Sequence, residues 1–217
     1  METVGVNVTH DASFCRCVNG EIDMFLEEER LSRKKHDNMP VKTVMELQES
    51  NFAGVTGLEY HDYSLRDTCN FFDVIFRKKI PDHDYRTYNQ HHYLHACCGF
   101  YNSGFEEADV VVVDGLGNFF DEENHECATR WHIKKPAEIK LLERQGASRF
   151  GTKTDRHGYW PMGVGMAYAS ISDYLGFGQL GSGKVMGLAP YGKEDPNIKP
   201  FVIDGRVNSK LFYRTKY

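Results

Sequence analysis

Hydrophobic and polar residues alternate over residues 3–8 (TVGVNV) and again over 14–18 (FCRCV), the period of a strand with one buried face. Asn19-Gly20 follows, a pair suited to the positive φ angles of a two-residue hairpin turn. A third alternating run then places Ile22, Met24 and Leu26 on one side. The chain therefore opens as a three-stranded meander. Pro40 stands where a helix can begin without losing an internal hydrogen bond, and Val41, Val44, Met45, Leu47 and Gln48 continue a short helix ending near Ser50-Asn51. Residues 58–85 carry no clean period, and TCNFFDVIF (68–76) fits either a buried helix or a strand.

From Asn89 the run HHYLHACCGFYNSGF puts Tyr93, Leu94, Cys97, Cys98 and Tyr101 at helical spacing, with Gly104 as the stop. Val110 to Val113 is an unbroken β-branched run, the pattern of a central strand buried on both faces, and Asp114-Gly115-Leu116-Gly117 closes it. ECATRWHI (126–133) and EIKLLER (138–144) add two strands, so the second strand group resembles the first in layout. An apolar helix near 163–174, a glycine-rich segment over 176–192 and a strand near 201–203 complete the pattern. The expected class is α/β, a mixed central sheet with flanking helices. No low-complexity linker divides residues 1–217, and a single lobe is expected.

Composition narrows the function classes. The 217 residues carry 26 Lys and Arg against 31 Asp and Glu, a formal charge of -5, which excludes a basic protein that coats nucleic acid. Hydrophobic residues make up 41%, enough to bury a core, while the mean hydropathy of -0.53 lies on the polar side. No run approaches the ~18 apolar residues of a membrane span, and the first residues carry no signal-peptide core. A soluble cytoplasmic protein is expected. Cys15, Cys17, Cys69, Cys97, Cys98 and Cys127 form no CxxC pair, and their apolar neighbours predict buried, reduced thiols.

Three constellations could carry chemistry. His91 and His95 lie four residues apart on the predicted helix, which puts two imidazoles on one face as a shared metal requires. Asp114 is the natural third ligand, since a carboxylate at the end of a buried strand projects into the crevice where sheet proteins build sites. Two histidines at this spacing are also common on a helix surface. His10-Asp11 ends the first strand and suits a base, a phosphate contact or a ligand, or simply a turn whose amides Asp11 and Ser13 satisfy. The third is the run from Gly176 to Gly192. It nearly spells a phosphate-binding loop, but Val185 stands where a hydroxyl must hold magnesium; its amides and Lys184 could still hold a phosphate or carbamoyl group, or form only a flexible turn. A basic cluster, Arg30, Arg33, Lys34, Lys35 and His36, follows Glu27-Glu28-Glu29 and reads as a solvated charged face with an anion-binding role left open.

Four blocks in order resemble one family. They are His10-Asp11-Ala12-Ser13; Glu27-Glu28-Glu29-Arg30 with Ser32-Arg33-Lys34-Lys35-His36-Asp37; His91-His92-Tyr93-Leu94-His95-Ala96 with Val112-Val113-Asp114-Gly115; and Gly183-Lys184-Val185-Met186-Gly187-Leu188-Ala189-Pro190-Tyr191-Gly192. Together they are similar to the O-carbamoyltransferases of nodulation and antibiotic tailoring, over about residues 4–195. The resemblance implies a ribonuclease-H-like lobe of the actin/Hsp70-like ATPase superfamily. It implies transfer of a carbamoyl group, from carbamoyl phosphate and ATP through a carbamoyl-adenylate, onto the hydroxyl of a small-molecule acceptor. It further implies a divalent metal, commonly iron, on His91, His95 and Asp114, with His10 and Asp11 at the transferred group. Gly181, Gly183, Lys184 and Gly187 would line the nucleotide side. Family members are much longer, with a second lobe and a C-terminal adenylate-forming domain, so an incomplete or split enzyme needing a partner polypeptide is expected. A non-catalytic binding remnant and a small metal-dependent hydrolase are the alternatives.

Overall fold

Strands β1 (Glu2–Val8), β2 (Ser13–Val18) and β3 (Glu21–Glu27) form the expected antiparallel meander. The computed structural model describes residues 2–8, 11–46, 55–60, 91–121, 124–148, 162–204 and 206–211. Asn19 and Gly20 join β2 to β3 with φ angles of 53° and 89°, the double positive turn that matches the twist of paired strands. Strand β4 (Val55–Tyr60) lies parallel to β1, giving the mixed order β3-β2-β1-β4. Among the described residues of this unit, Val4, Val6, Ala12 and Phe14 are buried.

Two short helices follow the meander, α1 (Glu28–Ser32) and α2 (Val41–Met45). Glu28 is buried, and its carboxylate accepts the N–H groups of Lys42 at 3.1 Å and Thr43 at 2.8 Å. Those amides open α2 and have no partner within it, so the acid caps the helix from a distance and is itself satisfied. The helix is described to Met45; its expected end near Ser50-Asn51 and the segment 68–76 lie outside the described residues.

Backbone contacts divide the chain into two compact units, Met1–His91 and His92–Tyr217, although the sequence has no linker there. The division falls at the first residue of helix α3 (His91–Tyr101), which is described whole with the second unit. That unit contains a second antiparallel meander, β5 (Glu107–Val113), β6 (Asn124–Lys134) and β7 (Glu138–Ser148). Helix α3 packs on it through Ala96, Phe100, Val112 and Ile133, with Ala108, Val110, Trp131 and Ile139 around them.

Two expectations change here. The buried stripe of α3 is His92, Ala96 and Phe100, spaced i, i+4, i+8; Tyr101 and Cys98, assigned to the apolar face from the sequence, are exposed. Strand β5 is not buried on both faces: among the described residues it pairs only with β6, and Val111 and Val113 are 64% and 59% exposed. Successive valines point to opposite faces of a strand, so an unbroken run serves one-sided burial as readily as two-sided burial.

Helices α4 (Val164–Tyr174) and α5 (Ser182–Leu188) follow, then a 3-10 turn (Ala189–Tyr191) and a small hairpin of β8 (Val202–Ile203) and β9 (Arg206–Val207). Among the described residues no helix is long and apolar enough to cross a membrane. The five described cysteines are free, but only Cys127 is buried; Cys98 is exposed and Cys15, Cys17 and Cys97 are intermediate, which corrects the expectation of buried thiols. Cys69 lies outside the described residues.

Candidate functional site

Each residue of a helix turns about 100° from the last. With His92, Ala96 and Phe100 against the sheet, His91 and His95 share the flank beside the buried stripe. His95 is exposed and His91 half-buried. Asp114 follows the last residue of β5, and its loop is sewn to β6. Asp114 N–H donates to the Cys127 carbonyl at 3.0 Å, Gly117 N–H to the Glu126 carbonyl at 2.8 Å, and Glu126 N–H to the Asn118 carbonyl at 3.0 Å. The Asp114 carboxylate also accepts the N–H of Gly115 at 2.6 Å.

The ligand atoms of His91, His95 and Asp114 lie within 4.8 Å of one another. A cation bound at ~2.1 Å to each of three tetrahedrally disposed donors separates them by roughly 3.4 Å, a closure that side-chain rotation can supply. Two imidazoles and a carboxylate form a donor set for iron, zinc or manganese. The exposure of His95 leaves one side open to solvent. The residues present therefore fit a divalent metal.

The fold braces this flank with residues that sequence reasoning passed over. His92 is 0% exposed, and its Nδ1 lies 3.0 Å from the Thr129 hydroxyl. The same hydroxyl oxygen accepts the Trp131 indole N–H at 2.8 Å, and Tyr93 meets Trp131 edge-on at 5.7 Å. The middle histidine thus holds the rotation of the helix that carries the outer two. Its signal in the sequence was its place four residues before Ala96 and eight before Phe100.

Glycines let the surrounding backbone close in. A β-carbon on Gly117 would lie 2.7 Å from the His92 ring, and one on Gly163 would lie 2.7 Å from Cβ of Cys127. One on Gly165 would overlap the backbone of Gly115 and approach the carbonyl carbon of Asp114 at 2.8 Å. The start of α4 therefore packs directly on the Asp114 loop. The spaced glycines 163 and 165, at the N-cap and in the first turn of a helix without a side-chain cap, were the available hint.

The other predicted residues are distributed differently. His10 lies outside the described residues. Asp11 is described with φ 63°, its carbonyl accepts the Asn7 side-chain amide at 3.1 Å, and its carboxylate lies 2.7 Å from Nδ1 of His36. Gly181 precedes α5, while Gly183, Lys184 and Gly187 lie within it. The expected open loop of amides is thus a turn of helix, whose inner N–H groups are spent on the helix itself. Lys184 is exposed, with its ammonium 5.6 Å from the centre of the Phe177 ring. Gly181 is required sterically, since a β-carbon there would meet Phe177 and the Ser172 hydroxyl at 2.7 Å, whereas Gly183 and Gly187 face open space.

Comparison with known proteins bears on the same residues. The model of the carbamoyltransferase N-terminus matches residues 62–216, a span containing His91, His95, Asp114 and Lys184. The chain belongs to the carbamoyltransferase N-terminal family. It is 24% identical to the nodulation protein NolNO of Sinorhizobium fredii over 216 residues, covering 87% of this chain and 28% of that protein. The protein sll1178 of Synechocystis is 23% identical over 248 residues, 93% of this chain and 36% of its own length. The nodulation protein NolO of Bradyrhizobium diazoefficiens is 33% identical over 107 residues, 48% of this chain and 16% of its own. The chain thus spans little more than a third, or less, of the curated relatives it matches.

Proposed function

We propose that this chain is the part of an O-carbamoyltransferase that holds a divalent metal on His91, His95 and Asp114 and directs a carbamoyl group to the hydroxyl of a small acceptor. The observation that supports it most is the 4.8 Å grouping of those three donors in a chain of the carbamoyltransferase N-terminal family. Iron is the metal favoured by the family resemblance. When bound, the metal supplies positive charge to a phosphate or to an oxygen that gains charge in the transition state. The chain's own residues do the rest: the stitched loop fixes Asp114, the buried His92 sets the helix rotation, and Asp11 stands at the turn after β1.

The proposed donor is a carbamoyl-adenylate made from carbamoyl phosphate and ATP, with Gly181, Gly183, Lys184 and Gly187 on the nucleotide side. The mixed β3-β2-β1-β4 sheet, with its parallel fourth strand, supports a ribonuclease-H-like lobe. Because the relatives are about three times longer, the reading includes a need for further polypeptide to enclose the intermediate, since exposure to water weakens every electrostatic contact in a site.

The test supplies the chain with iron(II), carbamoyl phosphate and ATP, with and without a polypeptide equivalent to the remaining length of a relative, and follows carbamoyl-adenylate and AMP. AMP formation above the buffer rate that needs the added polypeptide and is lost in His95→Ala is expected. AMP formation at the buffer rate under every condition would remove the reading.

A further inference from the structure

We propose that the exposed apolar surface of α4 and α5 is where the remaining polypeptide of a carbamoyltransferase docks; the proposal rests on the need for further polypeptide in the reading above. Helix α4 is inverted for a protein in water. Its buried positions are Ala167, Ser170 and Ser172, which are small or hydroxylated. Val164 is 47% exposed, Tyr168 and Leu175 are exposed as well, and Ile171 between them is half-buried. Positions 164, 168, 171 and 175 are spaced i, i+4, i+7 and i+11, a single apolar stripe along the helix. Such a stripe normally packs a helix on its neighbour. Here it faces outward.

Helix α5 repeats the pattern. None of its residues is buried. Met186 is 66% exposed, and Tyr191, in the 3-10 turn that follows, is 83% exposed. Helices shorter than about 12–15 residues are marginal in water without packing. This one has 7 residues, and Gly183 and Gly187 lower its own tendency to form. A second apolar face supplies the packing it lacks.

The surface has a held shape. Phe177 N–H donates to the Ser172 carbonyl at 2.9 Å, and the Ser172 hydroxyl donates to the Gly178 carbonyl at 2.6 Å. The turn from α4 to α5 is thereby tied to α4. Apolar groups on a tied backbone lose less freedom on binding, which favours association.

The occupant follows from chain length. The matched family model describes an N-terminus and runs to residue 216. The part that this chain matches is 28% of NolNO and 36% of sll1178, so most of each of those proteins follows it in sequence. That polypeptide would leave from the compact unit that carries α4 and α5. A second copy of the chain could cover the stripe, but it would add none of the enclosure that carbamoyl transfer requires.

The experiment mixes the full chain with the carboxyl-terminal part of NolNO that the chain does not match, and follows association by sedimentation velocity. A one-to-one complex is expected, from a chain that is monomeric when alone. Hydrogen exchange should show new protection over residues 164–191. Tyr168→Glu and Met186→Glu should each weaken the complex by about 30-fold or more, the scale of an interface hot spot. Tyr168→Phe and Met186→Leu should bind as the parent does. The Tm of Met186→Glu alone should match that of the parent chain, since the side chain is mostly exposed. Three results overturn the proposal: no complex with the parent chain, glutamate variants within about threefold of its affinity, well under a hot-spot loss, or a parent chain that dimerises through Met186. AMP formation keeps the two readings apart. A complex that meets every expectation but forms AMP only at the buffer rate sinks the transfer reading and keeps the docking surface. AMP formation that needs the added polypeptide and survives both glutamate variants does the reverse.

Discussion

Gly165 at the start of α4 packs so closely on Gly115 that a β-carbon on the first would overlap the backbone of the second. Gly115 follows Asp114, the one carboxylate in the candidate metal cluster. A residue fifty positions downstream in the chain thereby sets how the ligand loop can lie.

Gly165→Ala should therefore cost stability and site geometry together. The obstacle is backbone and cannot swing aside as a side chain could, so the penalty should reach the upper part of the ~1–3 kcal/mol typical of overpacking. Thermal unfolding should show a lowered Tm and metal titration a weakened affinity. Gly183→Ala, which meets open space, should leave both unchanged or raise Tm slightly, because alanine is the better helix former.

Thr129→Val keeps the shape of the side chain and removes the hydroxyl that joins His92 to Trp131. Buried groups left without that partner should cost about 1–3 kcal/mol. If His92 holds the rotation of α3, metal affinity should fall alongside Tm in this variant, although Thr129 belongs to neither the cluster nor the helix. Calorimetry on the single variant tests both effects.

Glu29 gives a pH signature. The hydrogen bond from Lys35, followed by the backbone N–H of His36, holds its carboxyl below the ordinary value of 4.5. A group whose value is depressed in the folded state stabilises the fold above the unfolded value, and that contribution is lost as pH falls through the folded value. Tm followed from neutral pH into the acid range should therefore decline below about pH 4.5, and Glu29→Gln should flatten that part of the decline while lowering Tm at neutral pH.

The cysteines should separate by reactivity. Burial pushes the Cys127 thiol up, and burial followed by the neighbouring Cys98 does the same to Cys97 despite a hydrogen bond from Tyr93. Both should stay protonated and unreactive near neutral pH. Iodoacetamide followed by peptide mass spectrometry should modify exposed Cys98 well before either of them.

Local chemistry was legible in the sequence where it determined structure alone. The Asn19-Gly20 turn and the alternation around it gave the first meander, and the four-residue spacing of His91 and His95 gave a shared flank. What depended on neighbours was not legible. Nothing in HHYLHACCGFY ranks His92 above Tyr93 for the core, because the choice is made by Thr129 and Trp131 on β6. Nor could the valines of β5 announce that, among the described residues, it pairs only with β6, since the pattern of one strand does not count its neighbours. The glycines around Lys184 read as a loop because glycine is a poor helix former, yet α5 forms there, and Gly183 and Gly187 have no steric reason in this fold. His36 was hidden in a charged run, and only its distance from Asp11, 25 residues earlier, separates it from Lys34 and Lys35.

The most direct measurement is a manganese(II) or iron(II) binding isotherm on the whole chain beside His91→Ala, His95→Ala and Asp114→Asn. The account predicts one bound ion for the parent chain and, in each variant, a loss of affinity beyond the roughly 10- to 100-fold that follows changes around a metal's ligands. Undetectable binding by the parent chain, or binding that all three substitutions leave untouched, would contradict it.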